Sequence, residues 1–180
     1  QNGMYDRART LFETMPGDPM TDGYAVLCAI KLRSDDYPDL ITRYSGTYPS
    51  SSLTSSIHFE NARLLFDAKK YQDAVVELGK VSSESLSSQQ MPEYFFKCGY
   101  SEFSIGKYPE AMQFFTVLDA LPFSDYTSPG RYMTGMMYYN DKRFADAESC
   151  FQKISTDPRF KDLAAFYIVD CEFNQKNYDF

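Results

Sequence analysis

Apolar positions in this chain recur on two scales. At short range they return every three or four residues, the spacing of one helix face. At long range the whole pattern returns about every 34 residues, each time with an aromatic at the same place: Tyr5, Tyr37, Tyr71, Tyr108, Phe144 and Tyr178, at steps of 32, 34, 37, 36 and 34. A period of that length marks stacked helix pairs, because no single pair can bury its apolar faces alone.

Counted forward from each aromatic, the third residue is Ala8, Leu40, Ala74, Ala111 or Ala147, and the seventh is Phe12, Tyr44, Leu78, Phe115 or Phe151. The tenth is Met15, Thr47, Val81, Leu118 or Ile154, which completes one stripe of a helix, and the small residue at its start lets a neighbouring helix come close. Counted backward, the ninth position holds Cys28, Ala62, Gly99, Gly135 and Val169, and the fifth holds Leu32, Phe66, Phe103, Tyr139 and Phe173, so a second helix precedes each aromatic. Short polar turns join the two helices at 33–36, 68–70, 105–107 and 141–143. Gly3 and Gly106, each two before an aromatic, suit a helix end that needs positive φ. The Ser-rich stretches 47–56 and 82–92 read as capping loops, and Ser128-Pro129 and Asp157-Pro158 read as a cap followed by proline in a first turn.

Composition narrows the function classes. The chain has 180 residues, 43% of them hydrophobic and 24% charged, enough for a substantial core. Its net charge of −7 argues against a nucleic-acid surface, which needs a basic stripe. No apolar run approaches the roughly 20 residues of a membrane-spanning helix. The four cysteines, Cys28, Cys98, Cys150 and Cys171, have no metal-ligand spacing and read as small buried side chains. His58 is the only histidine, and no zinc-protease, phosphate-loop or nucleophile-elbow motif occurs, so neither catalysis nor a metal or cofactor is expected.

The residues just counted resemble the tetratricopeptide (TPR) repeat, over nearly the whole chain. Gly99, Gly106, Tyr108, Ala111 and Phe115 match its pattern most fully; Gly135, Tyr138, Ala147 and Phe151 follow, then Ala62, Tyr71 and Ala74. Leu40, Lys31 and Thr47 depart from it. The resemblance implies an all-α, right-handed α-α superhelix of about five antiparallel helix pairs. The units fall near 1–20 (second helix only), 21–52, 53–88, 89–125, 126–157 and 158–180 (first helix and turn only). With half-units at both ends, the sequence is expected to be a fragment of a longer repeat protein. The segment Tyr44-Ser45-Gly46-Thr47-Tyr48-Pro49-Ser50-Ser51-Ser52 is similar to repeats of bacterial envelope TPR proteins, including outer-membrane-assembly lipoproteins and periplasmic partners of the Tol system. That similarity favours the periplasm or cell envelope over the cytoplasm.

In this family the first helix of each pair lines the concave side, and the groove-facing positions lie four, five, eight and twelve before the aromatic used here. They hold Phe59, Arg63 and Phe66; Phe96, Tyr100 and Phe103; Tyr132, Met136, Tyr139 and Asn140; and Phe166, Asp170, Phe173 and Asn174. The resemblance thus implies an aromatic-lined groove for a peptide or partner protein. Aromatics at helical spacing also pack helix against helix, and both readings stand at this point. The Lys, Asn and Arg of the family's carboxylate clamp are replaced by Phe59, Arg63, Phe96, Tyr100 and Tyr132, which favours an apolar or aromatic ligand over an acidic chaperone tail. A noncatalytic interaction scaffold is the expected function. The alternatives are a substrate-positioning region of a larger enzyme or envelope-assembly complex, or a spacer that self-associates; a homo-oligomer is compatible with the sequence and not indicated by it.

Overall fold

A computed structural model describes residues 2–178, and they form ten α-helices with no strand among the described residues. The chain divides into two compact units, one up to Ser87 and one from Ser88 onward. The first unit contains α1 (Asn2–Glu13), α2 (Pro19–Leu32), α3 (Tyr37–Thr47), α4 (Leu53–Asp67) and α5 (Tyr71–Leu78), followed by a short 3₁₀ turn at Ser83–Ser85. The second contains α6 (Met91–Ser104), α7 (Tyr108–Ala120), α8 (Thr127–Asn140), α9 (Phe144–Gln152) and α10 (Lys161–Tyr178). In each unit a helix packs mainly on those next to it in sequence: α1 on α2, α2 on α3 and α4, α4 on α5; then α6 on α7 and α8, α7 on α8, α8 on α9, and α9 on α10.

The recurring aromatic opens α3, α5, α7 and α9, as Tyr37, Tyr71, Tyr108 and Phe144. Two residues later each of these helices has an acidic side chain, Asp39, Asp73, Glu110 or Asp146, where negative charge complements the positive end of the helix dipole. Two residues before the aromatic the chain turns left-handed at Lys69 (φ 58°), Gly106 (φ 83°) and Lys142 (φ 59°). Only one of those three places uses the glycine that a positive φ favours. Gly3 lies inside α1 and ends no helix. Tyr178 closes α10, and the turn expected up to Phe180 runs outside the described residues.

The other starts differ from expectation in instructive ways. Asp18 caps α2, accepting from the backbone N–H of Met20 (3.1 Å) and Thr21 (2.9 Å), with Pro19 at the first helical position. Ser128 is not the cap of α8. That helix begins at Thr127, whose hydroxyl accepts the Ser124 N–H at 2.9 Å, and Ser128 is buried in the first turn. Asp157 accepts from the Arg159 N–H at 3.0 Å in a turn, and α10 starts only at Lys161. The local bonds between Ser124 and Thr127 cap an earlier start of α8, whereas the turn at Asp157 competes with the helix and delays α10.

The core of the first unit gathers Val26, Ile30, Ile41, Tyr44 and Ile57. In the second unit Ala111, Phe115, Leu118, Met133 and Met137 form one cluster, and Ala147, Phe151, Ile154, Ala164 and Cys171 another. The small-then-large pattern becomes geometry here. Gly99 faces the Phe115 ring so closely that an added Cβ would lie 2.7 Å from it, and Gly135 faces Phe151 with 2.8 Å. All four cysteines are free, three of them buried.

Candidate partner-binding surface

The aromatic positions of the first helices do not share one environment. In the first unit, Phe59 on α4 is 1% exposed, with the Arg63 guanidinium 4.3 Å above its ring. Arg63 also pairs with Glu60, and half-buried Phe66 meets Tyr71 edge-on at 5.6 Å. Phe59 therefore presents no ring surface.

In the second unit, Phe96, Tyr100, Phe103 and Tyr132 pack partly buried against the Phe115 cluster. Phe96 lies 6.2 Å from Phe115 and 5.5 Å from Tyr126, and Phe103 meets Tyr108 edge-on at 5.2 Å. Tyr132 contacts Phe151 at 6.1 Å and Phe160 at 5.5 Å; burial first, and Tyr167 second, push its phenol above the usual value. Met136 packs half-buried on the Phe151 cluster, and Asn140 is exposed at the end of α8.

Polar and apolar candidates come together between α8 and α10. The Tyr139 hydroxyl donates to Asp170 Oδ2, a bond that pushes the phenol up to about 12. Asn174 Nδ2 donates to the Asp170 carbonyl at 2.8 Å and to its carboxylate at 3.2 Å. Around this cluster Phe166 and Phe173 stand 64% and 65% exposed. Of the candidate aromatics these two show the most surface.

One residue central to this arrangement is invisible in the repeat pattern. Tyr167 stacks on Phe151 at 4.9 Å and meets Tyr139 and Tyr132 edge-on at 5.2 and 6.3 Å. It stands eleven before Tyr178, where the other units carry Val26, Glu60, Lys97 and Met133, so no common residue type points to it. A cleft of about 450 Å³ bordered by Asp22, Val26, Leu40, Arg43, Tyr44 and Tyr48 lies at positions outside the candidate set.

A second group that the sequence left unread sits in the first unit. His58 Nδ1 and Glu77 Oε2 are 2.8 Å apart, both side chains buried, and His58 Nε2 is 3.2 Å from the Ser45 hydroxyl. Asn61 Nδ2 (3.0 Å) and Lys80 Nζ (2.5 Å) also donate to Glu77. This network ties α3, α4 and α5 together. Burial alone would push the Glu77 carboxyl up, but the bonds from His58, Lys80 and Asn61 outweigh it and hold the group down to about 2.

The chain is thus an all-helical protein of helical-repeat-like construction, compatible with a TPR-like fold. Comparison with protein-family models, with curated proteins and with solved structures finds no match. Among the described residues no helix is long and apolar enough to cross a membrane.

Proposed function

We propose that the chain is a TPR-like right-handed superhelix of about five helix pairs that acts as a noncatalytic scaffold, holding a peptide or partner protein on its first helices. The aromatic-Pro-Ser turn at Tyr48-Pro49-Ser50 favours an envelope setting. The observation that carries the reading is the pair Phe166 and Phe173, about two-thirds exposed on either side of the hydrogen-bonded Tyr139–Asp170–Asn174 cluster. Contiguous exposed apolar surface rimmed by polar groups marks interaction sites, and rigid aromatic rings anchor them at low entropic cost. Asp170, half-buried and held by two donors, supplies a fixed acceptor that orients a ligand N–H.

Peptides selected from a display library against the folded chain test this directly. Phe166→Ala should weaken their binding tenfold or more while helical circular dichroism and melting temperature stay unchanged. Tyr139→Ala should lower binding and stability together, because that ring also packs on Phe144 and Tyr167. Selected peptides indifferent to Phe166→Ala and Phe173→Ala would remove α10 from the binding surface.

A further inference from the structure

The repeat keeps a place for one ring in each helix pair. Twelve before the recurring aromatic stand Phe59, Phe96 and Tyr132, and seven after it stand Leu78, Phe115 and Phe151. In two pairs these positions meet ring to ring: Phe96 lies 6.2 Å from Phe115, and Tyr132 lies 6.1 Å from Phe151. The pair formed by α2 and α3 departs from this rule. It carries Ala25 in the place of the ring, and Leu40 in the place where Ala74, Ala111 and Ala147 are fully buried. Small and large have changed places.

Both exchanges open space. The distance between packed helices follows the side chains at their contact, and α3 touches α2 less extensively than α5, α7 or α9 touches the helix before it, with Leu40 left half-buried. Where the ring is missing lies the cleft of about 450 Å³, bordered by Ala25, Val26, Leu40 and Tyr44. Its lining comes from the end of α1 and the turn after it, from α2 and from α3, so it is an internal feature of the first unit and no end face. The polar part of the lining is also set. Asp22 Oδ2 accepts the Tyr48 hydroxyl at 2.7 Å and the Gly17 N–H at 3.3 Å, which fixes the carboxylate and leaves lone pairs on it for a further donor. The exposed Arg43 guanidinium, on the same cleft, has no ion pair among the described residues.

We propose that this cleft takes the ring of a tyrosine or tryptophan from a partner peptide, seated where other pairs seat their own ring, with its O–H or N–H donated to Asp22. The chain displays each part of that arrangement elsewhere. Tyr139 donates its hydroxyl to Asp170, as Tyr48 does to Asp22. The Arg63 guanidinium lies 4.3 Å above the Phe59 ring and that of Arg143 lies 4.4 Å above Tyr138, the cover that Arg43 gives a bound ring. A cleft of about 450 Å³ is within the range of ligand pockets and holds an indole with some of the backbone that carries it. Burial of the ring supplies affinity, and the donor supplies selection. Phenylalanine would fill the same space but displace water from the carboxylate without replacing its hydrogen bond. The site lies in the other unit from α10 and does not depend on the reading of that helix.

The chain contains no tryptophan, so the indole of a blocked Gly-Trp-Gly peptide reports its own binding by fluorescence. Titration with the protein should saturate, with a dissociation constant on the order of 1 mM or tighter. In competition, the corresponding tyrosine peptide should displace it at a similar concentration, the phenylalanine peptide should be about fivefold weaker, and the leucine peptide weaker still. Ala25→Phe restores the ring of the other pairs; it should abolish binding with circular dichroism unchanged. Should that variant fail to fold, Asp22→Asn decides: it should weaken the tryptophan peptide severalfold and leave the phenylalanine peptide as it was. No saturation at several millimolar, equal binding of the leucine and tryptophan peptides, or undiminished binding to a folded Ala25→Phe chain would overturn the proposal. Phe166→Ala should change none of these values, so failure of this site and failure of the α10 surface are separate results.

Discussion

At the scale of single residues, Glu77 is a carboxylate buried on α5 and held by His58, Asn61 and Lys80. Removing one member of a buried charged network leaves the others desolvated without a partner, which costs more than the bond itself. Glu77→Gln keeps the shape and loses the charge; it should lower stability by about 2–4 kcal/mol in urea unfolding at pH 7. Since the folded carboxyl is held down to about 2 from an ordinary value of 4.5, its contribution is complete above pH 4.5 and is lost as the pH falls toward 2. The stability gap between wild type and Glu77→Gln should therefore narrow steadily across that window. A gap that stays constant from pH 6 to pH 2.5 would show that the amide fails for reasons of packing, not charge.

At the scale of helices, close approach decides which small residues are replaceable. Gly135 sits in the middle of α8, where alanine would gain about 1 kcal/mol in helix propensity. Against this, the new Cβ would meet the fully buried Phe151 ring at 2.8 Å, so that ring has to shift within the core. Overpacking of this kind costs about 1–3 kcal/mol and wins, so Gly135→Ala should lower the melting temperature; a rise would mean that Phe151 re-seats freely. Gly3, with nothing within 4 Å of an added Cβ, should tolerate the same change. These elements were largely legible in the sequence because apolar periodicity and turn chemistry act locally: Tyr37, Tyr71, Tyr108 and Phe144 each open a helix, and Gly99 and Gly135 each face a ring. The starts of α8 and α10 were not, because Ser124 and Thr127 cap α8 early, the Asp157 turn delays α10, and no period records either local bond. Nor were the buried polar residues Glu77, Lys97 and Ser101, whose types signal solvent and whose burial is decided by the neighbouring helix. In the candidate surface the ladder of aromatics was readable as a ladder. Its division into packed rings such as Phe96 and exposed ones such as Phe166 depends on what lies against each helix, which spacing within one helix does not encode.

At the scale of the molecule, contacts run between neighbours in sequence, so stability should be distributed along the chain instead of resting on one shared core. Each unit has clusters of its own: the Ile30–Tyr44–Ile57 group in the first, the Phe115 and Phe151 groups in the second. A defect in one cluster weakens the helices that line it and reaches others only through successive interfaces. Phe151→Ala removes a ring with no exposed surface that touches Gly135, Tyr132 and Tyr167, a truncation that costs about 3–5 kcal/mol where it acts. Native-state hydrogen exchange should then show faster exchange of the amides of α8, α9 and α10, while those of α2 and α3 around Ile30 and Ile41 keep their wild-type protection. If every amide accelerated by the same factor, the chain would be opening as one cooperative body and the neighbour-by-neighbour account of its stability would fail. Localised loss also fits the proposed binding role, in which a ligand on α10 orders the helices beneath it without the whole chain responding.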